Sequence, residues 1–144
     1  MIYLHRATFD EMDYAQVTFF GRHFYWMEQA TEAWLMEKQM GFAVLTTYHN
    51  IGLPVISAET RYRAPVNLEQ TVEVRVALRD LTRRGFSTPF EIVRQDDGVL
   101  AAFGLIKRRA IDVKRFRGID LPDDFYVRFE EMQAESRDMV IRQE

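Results

Sequence analysis

The chain has 144 residues, 47% of them hydrophobic, which is enough to bury a real core, and residues 1–144 read as one domain. It contains no cysteine, which excludes disulfides, a thiolate nucleophile and cysteine-bound metal, and agrees with a reducing cytoplasm, the expected location. A net charge of −3, from 19 basic against 22 acidic residues, gives no general attraction for nucleic acid or for an anionic membrane. His5, His23 and His49 lack metal-ligand spacing, so neither a metal nor another cofactor is expected. No apolar run approaches the roughly 20 residues of a spanning helix, and the chain opens on strand-like alternation, so neither a membrane span nor an export signal is expected.

Tyr3 to Phe9 alternate and predict a first strand, followed by a polar turn over Asp10–Tyr14. From Arg22 to Gln39, Phe24, Met27, Ala30, Thr31, Trp34 and Leu35 recur at helical spacing, and Trp26 and Ala33 widen the stripe. Gly41 is the expected C-terminal stop. The polar sector around Glu28, Gln29, Glu32 and Gln39 is narrow, as in a helix largely covered by protein.

Beyond a loop through Asn50–Pro54 the period changes to two, and Val55–Arg63 reads as a half-buried strand. Val72, Val74, Val76 and Leu78 then face one way, with Glu73, Arg75 and Arg79 on the other side. Turns at Arg83-Arg84-Gly85 and Asp96-Asp97-Gly98 bound strands at Phe86–Arg94 and Val99–Ile111, completing a meander. Pro89 cannot donate to a ladder and points to an edge or a bulge. Residues 118–144 read as a short helix from Pro122, carrying Phe125, Phe129 and Met132, and a polar tail whose last ten residues fray. The order strand, long helix, four strands is α+β with the helix on one face of an antiparallel sheet.

The run from Phe9-Asp10-Glu11-Met12-Asp13-Tyr14-Ala15-Gln16-Val17 to Phe24-Tyr25-Trp26-Met27-Glu28 resembles the opening of hotdog-fold acyl-CoA thioesterases of the 4-hydroxybenzoyl-CoA type. Gly52-Leu53-Pro54-Val55, Ser57-Ala58-Glu59, Tyr62-Arg63-Ala64-Pro65, Val72-Glu73-Val74 and Gly85-Phe86-Ser87-Thr88 match in order, so the resemblance spans about residues 3 to 112. It implies a hotdog fold, an antiparallel five-stranded sheet wrapped around one long central helix, in chains that pair into homodimers or homotetramers. It also implies hydrolysis of an acyl-CoA or acyl-carrier-protein thioester. Asp13 would be nucleophile or general base, and the backbone N–H of Phe20, at a helix N-terminus, would polarise the carbonyl oxygen. The chain departs from the family's pattern at Gln16, where glycine is usual, at Arg22, where asparagine is usual, and at His23, where tyrosine is common.

Each candidate has a plain reading beside the functional one. On residue physics alone Asp13 is a solvated loop aspartate, and the resemblance reverses that. Glu28 and Glu32 are reserve carboxylates on a solvated helix face, and Glu59 is a surface or dimer-contact residue. His23, Trp26 and Glu28 are candidates for the substrate pocket, their plain role being packing. Arg83, Arg84, Lys107, Arg108 and Arg109 are either solubilising or contacts for the phosphates of coenzyme A. A non-catalytic ligand-binding module on the same fold is the alternative function. A hydratase lacks its aspartate–histidine pattern here, and nucleic-acid binding lacks an aromatic-basic sheet.

Overall fold

The computed structural model describes residues 1–142. In chain order the elements are β1 (Ile2–Arg6), a turn of 3-10 helix (Phe9–Glu11), α1 (Arg22–Glu37), α2 (Phe42–His49), β2 (Ile51–Gly52), β3 (Val55–Tyr62), β4 (Thr71–Val76), β5 (Arg79–Thr82), β6 (Gly85–Arg94), β7 (Leu100–Arg109), β8 (Ile111–Asp112), β9 (Arg117–Gly118) and α3 (Asp123–Glu135). The main sheet is antiparallel in the order β1-β4-β6-β7-β3, with β5 pairing β6 as a sixth strand, and β2-β8-β9 form a small second sheet. The expected count of five is thus corrected to six. The third strand of the sequence pattern breaks after Val76 and resumes at Arg79, so that β4 and β5 both pair with β6.

Pro89 lies opposite that break. Its carbonyl accepts the Ala77 N–H at 3.1 Å, and its missing donor falls where no regular ladder runs. A bulge, not an edge, accommodates the proline, for β6 is the centre of the sheet and is buried along nearly its whole length. The face formed by Val72, Val74, Val76, Phe90, Ile92 and Ile106 carries the core together with Trp26, Met27, Ala30 and Leu35 of α1.

α1 keeps the predicted stripe but ends two residues early. Gln39 takes φ 59°, and the Met40 N–H donates to the Leu35 carbonyl at 2.8 Å, so the left-handed stop is Gln39 and Gly41 instead caps the start of α2. The pattern gave no sign of α2, since only Leu45 of its eight residues is buried. α3 follows the pattern, with Phe125, Phe129 and Met132 buried, and it is joined to α1 where Trp34 Nε1 donates to Glu135 at 3.2 Å and Lys38 pairs with the same carboxylate.

The tail does not fray as expected. Ser136 is buried and its hydroxyl accepts the Leu78 N–H at 3.0 Å, while the Arg142 N–H donates at 2.8 Å to the buried Glu91 on the other face of the sheet. Residues 143 and 144 of the expected tail lie outside the described residues. A second correction concerns β3. Seven of its eight residues are exposed, so it is a bare sheet edge and not the half-buried strand the alternation suggests.

The pairing of β3 with β7 depends on Gly104. A Cβ built there falls 2.0 Å from the Glu59 carbonyl oxygen and 2.9 Å from the Phe90 ring, and a backbone oxygen cannot move aside as a side-chain end can. Gly104→Ala is expected to cost about 1–3 kcal/mol, read as a lower urea midpoint at unchanged slope. An unaltered midpoint would show that the β3 edge yields freely.

Candidate active site

Between β1 and α1 the chain forms a small hairpin. Met12 bridges Thr18, the Asp13 N–H donates to the Val17 carbonyl at 2.7 Å, and the Phe19 N–H donates to the Glu11 carbonyl at 2.8 Å. Thr18 anchors the returning strand through its N–H and hydroxyl, both donating to the Val66 carbonyl at 2.9 and 2.8 Å. Gln16 at the tip has φ 64°, the left-handed conformation a glycine adopts without steric cost. The glutamine therefore takes a backbone conformation that a glycine would take without strain.

Asp13 stands at this tip, half-buried. Its Oδ1 accepts the Ala15 N–H at 2.8 Å and the Val17 N–H at 3.4 Å, an Asx-type turn, while among the described residues Oδ2 accepts no hydrogen bond. One oxygen ties the carboxylate into the turn, and the other is left without a protein partner among the described residues. The residue lines an open groove of about 1150 Å³ whose walls include Phe9, Tyr14 and Leu68, all exposed apolar or aromatic side chains.

Under the hairpin lies a residue that sequence reading passed over. Glu11 is buried, and its carboxylate accepts from Trp26 Nε1 (2.6 Å), the Thr8 N–H (2.9 Å) and the Thr8 hydroxyl (3.0 Å), and pairs with His5 Nε2 (2.8 Å). The signal was present as Thr8-x-x-Glu11, the capping-box spacing. Burial alone would push the Glu11 pKa up, but the hydrogen bonds from His5, Trp26 and Thr8 outweigh it and hold the carboxyl below its ordinary value.

Phe20 sits at the entrance to α1. Among the described residues neither its N–H nor that of Gly21 donates to a protein acceptor, whereas Phe19 and Arg22 are paired. Its carbonyl accepts from the Tyr62 hydroxyl at 2.5 Å and from His23 Nδ1 at 3.2 Å, which fixes the proton of that imidazole on Nδ1. His23 is buried between Trp26 (ring centroids 5.0 Å apart) and Tyr62 (4.9 Å, edge-on). Burial drives its pKa down, more than the Phe20 carbonyl and the Glu11 charge raise it, so the ring is neutral at physiological pH.

Phe20, His23 and Trp26 are thus brought together, next to the hairpin of Asp13, although none of them lines the Asp13 groove. Trp26 is fully buried, so it supports the site from beneath and presents no surface to a ligand. Glu28 is elsewhere, paired with Arg108. Glu32 is exposed on α1, and Glu59 is exposed on β3.

The basic residues separate in the same way. Arg108 is buried, donating to the Leu53 carbonyl at 2.7 Å, and Arg109 donates to the Arg84 and Ile119 carbonyls at 2.8 and 3.1 Å. Arg83 pairs with Asp123 at 2.6 Å and lies 4.2 Å above the Tyr126 ring. All three are thus engaged by partners within the chain, Arg83 while still exposed. Arg84 and Lys107 remain exposed.

The Glu11–His23 region predicts a two-stage acid response. His23 has a folded pKa below its unfolded value of 6.5, so its contribution to stability is complete above that pH and is lost as pH falls towards the folded value. Glu11 is likewise depressed from 4.5, and its contribution is lost in a lower window, as pH falls through its folded pKa. Urea midpoints measured against pH should therefore decline in both windows, with His23→Gln flattening only the upper one. A decline in the upper window that survives this substitution would place the titrating group elsewhere.

The Thioesterase-like superfamily model matches residues 7–129 of this chain. No curated protein matches the sequence. Among solved structures, the DHNA-CoA thioesterase from Staphylococcus aureus superposes with a TM-score of 0.86 at 22% identity, covering 98% of this chain and 95% of that one. Slr0204, a 1,4-dihydroxy-2-naphthoyl-CoA thioesterase from Synechocystis, gives 0.84 at 18% identity over 91% and 96% of the two chains. BH1999, a gentisyl-coenzyme A thioesterase, gives 0.79 at 26% identity over 90% and 99%. The helix-on-sheet fold is shared with all three, and since the family model covers most of the sequence, the chain belongs to the Thioesterase-like superfamily.

Proposed function

We propose that this protein hydrolyses acyl-CoA thioesters, with Asp13 as nucleophile or general base and the Phe20 N–H as oxyanion donor. The observation that carries this reading is the division of labour in the Asp13 carboxylate, one oxygen tied into the turn and the other without a protein partner, on a residue that lines a groove of mixed apolar and polar walls. The carboxylate attacks the thioester carbonyl directly or removes a proton from the water that does. In either case the C–S bond breaks and the thiolate leaves, taking up a proton; direct attack leaves an acyl anhydride on Asp13 that water then hydrolyses to the free acid, restoring the carboxylate. The oxyanion forming in between needs a donor not already used, and Phe20 offers one at the positive end of α1.

Phe9, Tyr14 and Leu68 suit a hydrophobic acyl group, and the aryl-CoA esters named for the neighbouring structures are the first substrates to try. Arg84 and Lys107, exposed and without an ion-pair partner among the described residues, are the proposed phosphate contacts. An acyl-carrier protein is the other carrier for the same chemistry.

Asp13→Asn is the direct test, because the amide oxygen still accepts the Ala15 and Val17 N–H groups and so preserves the turn. Thiol release from the active thioester should fall at least about 100-fold, with thermal stability unchanged and binding of the CoA ester retained. Undiminished turnover would exclude Asp13, and binding without turnover in the wild type would favour the ligand-binding module.

The functional unit is proposed to be a homodimer or a tetramer built from it. β3 supports this, since its eight residues leave one whole edge of backbone N–H and C=O groups open beside exposed Val55, Ile56 and Tyr62. Sedimentation equilibrium should give at least twice the 17.1 kDa chain mass. A 17.1 kDa species holding full activity would refute it.

A further inference from the structure

We infer that Tyr62 is a positioning residue for the oxyanion donor, acting from the sheet edge through the Phe20 carbonyl. The inference rests on the proposed reaction only in taking the Phe20 N–H as that donor. Phe20 is 63% exposed and lies between helix and hairpin, where no regular element fixes its backbone. Two anchors do so instead. On its N-terminal side the Phe19 N–H is held by the Glu11 carbonyl, whose own side chain is locked by Trp26, His5 and Thr8. On its C-terminal side the Phe20 carbonyl receives the Tyr62 hydroxyl and His23 Nδ1.

With both flanking peptide groups fixed, the direction of the N–H between them is fixed too. A donor that need not reorganise as charge develops stabilises that charge best. The Tyr62 bond is the shorter of the two and the only one that reaches Phe20 from the sheet, across 42 residues of sequence. Burial holds the Tyr62 hydroxyl above its ordinary pKa, so the proton it donates stays in place over the working pH range. His23 cannot replace it, being the neighbour three residues along the same chain segment and moving with it.

Tyr62→Phe removes the hydroxyl and leaves the ring against His23. In the full-length chain kcat should fall about tenfold while KM stays within about twofold, and the amide NMR resonances of Phe20 and Gly21 should shift and gain mobility while those of β4 and β6 do not. A residue that merely packs would lower the melting temperature and spare that split. Unmoved Phe20 and Gly21 resonances overturn the inference whatever the activity, and moved resonances with an unchanged kcat overturn the catalytic consequence of the brace. Asp13→Asn runs alongside. Should the wild type release no thiol from any thioester, the proposed reaction and this role in it fall together, whereas a dead Asp13→Asn beside a fully active Tyr62→Phe sinks the positioning role alone.

Discussion

Burying a carboxylate without compensation costs several kcal/mol, and Glu11 meets that cost with partners drawn from three pieces of chain. His5 comes from β1, Thr8 from the connector and Trp26 from α1, so the carboxylate fixes how the first strand, the hairpin and the helix meet. Its backbone carbonyl also takes the Phe19 N–H. The tip that carries Asp13 and the peptide that carries the Phe20 N–H are therefore set by one buried acid. A neutral residue of the same shape would leave the Trp26 N–H and the Thr8 N–H competing for fewer lone pairs, and would loosen all three pieces at once.

The sheet is uneven in a way that bears on the site. β6, at the centre, is covered on one face by the core helices and on the other by the tail that ends in the Arg142–Glu91 contact, whereas β3 is bare on both. Covering the central strand within the chain leaves the β3 edge as the extended surface on which another strand can add. Tyr62 is the last residue of that edge, and it is also the one whose hydroxyl reaches Phe20. The open edge and the Phe20 peptide are thus joined by the Tyr62 hydrogen bond.

Features of local origin were legible in the sequence. The alternation of Val72, Val74 and Val76, the turn at Asp96-Asp97-Gly98 and the stripe of Phe125, Phe129 and Met132 all follow from spacing within a few residues, and each stands as read. α2 was illegible because a helix with one buried residue has no stripe. β3 was misread for a related reason, since alternation reports which residues could face a core and not whether a core is there. The basic residues divided on contacts that spacing does not hold: Arg108 and Arg109 are adjacent in sequence, yet one is buried against Glu28 and the other caps carbonyls beyond the strand end. Glu11 was legible in principle through its spacing from Thr8, but the polar run around it masked a buried acid as an ordinary turn. Tyr62 and Phe20, 42 residues apart, were not legible as a pair at all.

Folded chains rarely leave backbone donors unmatched away from water, and the hairpin that leads into Phe20 follows this. Phe19 and Arg22 are paired, the Phe20 carbonyl has two donors, and the hairpin strands match one another and Val66. The Phe20 N–H, like that of Gly21, has no protein acceptor among the described residues, and Phe20 is exposed, so water can meet it in the resting protein. An N–H without a protein partner and a carboxylate with one free oxygen are the two groups on which the proposed hydrolysis draws. They arise here from the same few side chains, so the stability of this corner of the fold and the chemistry proposed for it rest on the same bonds.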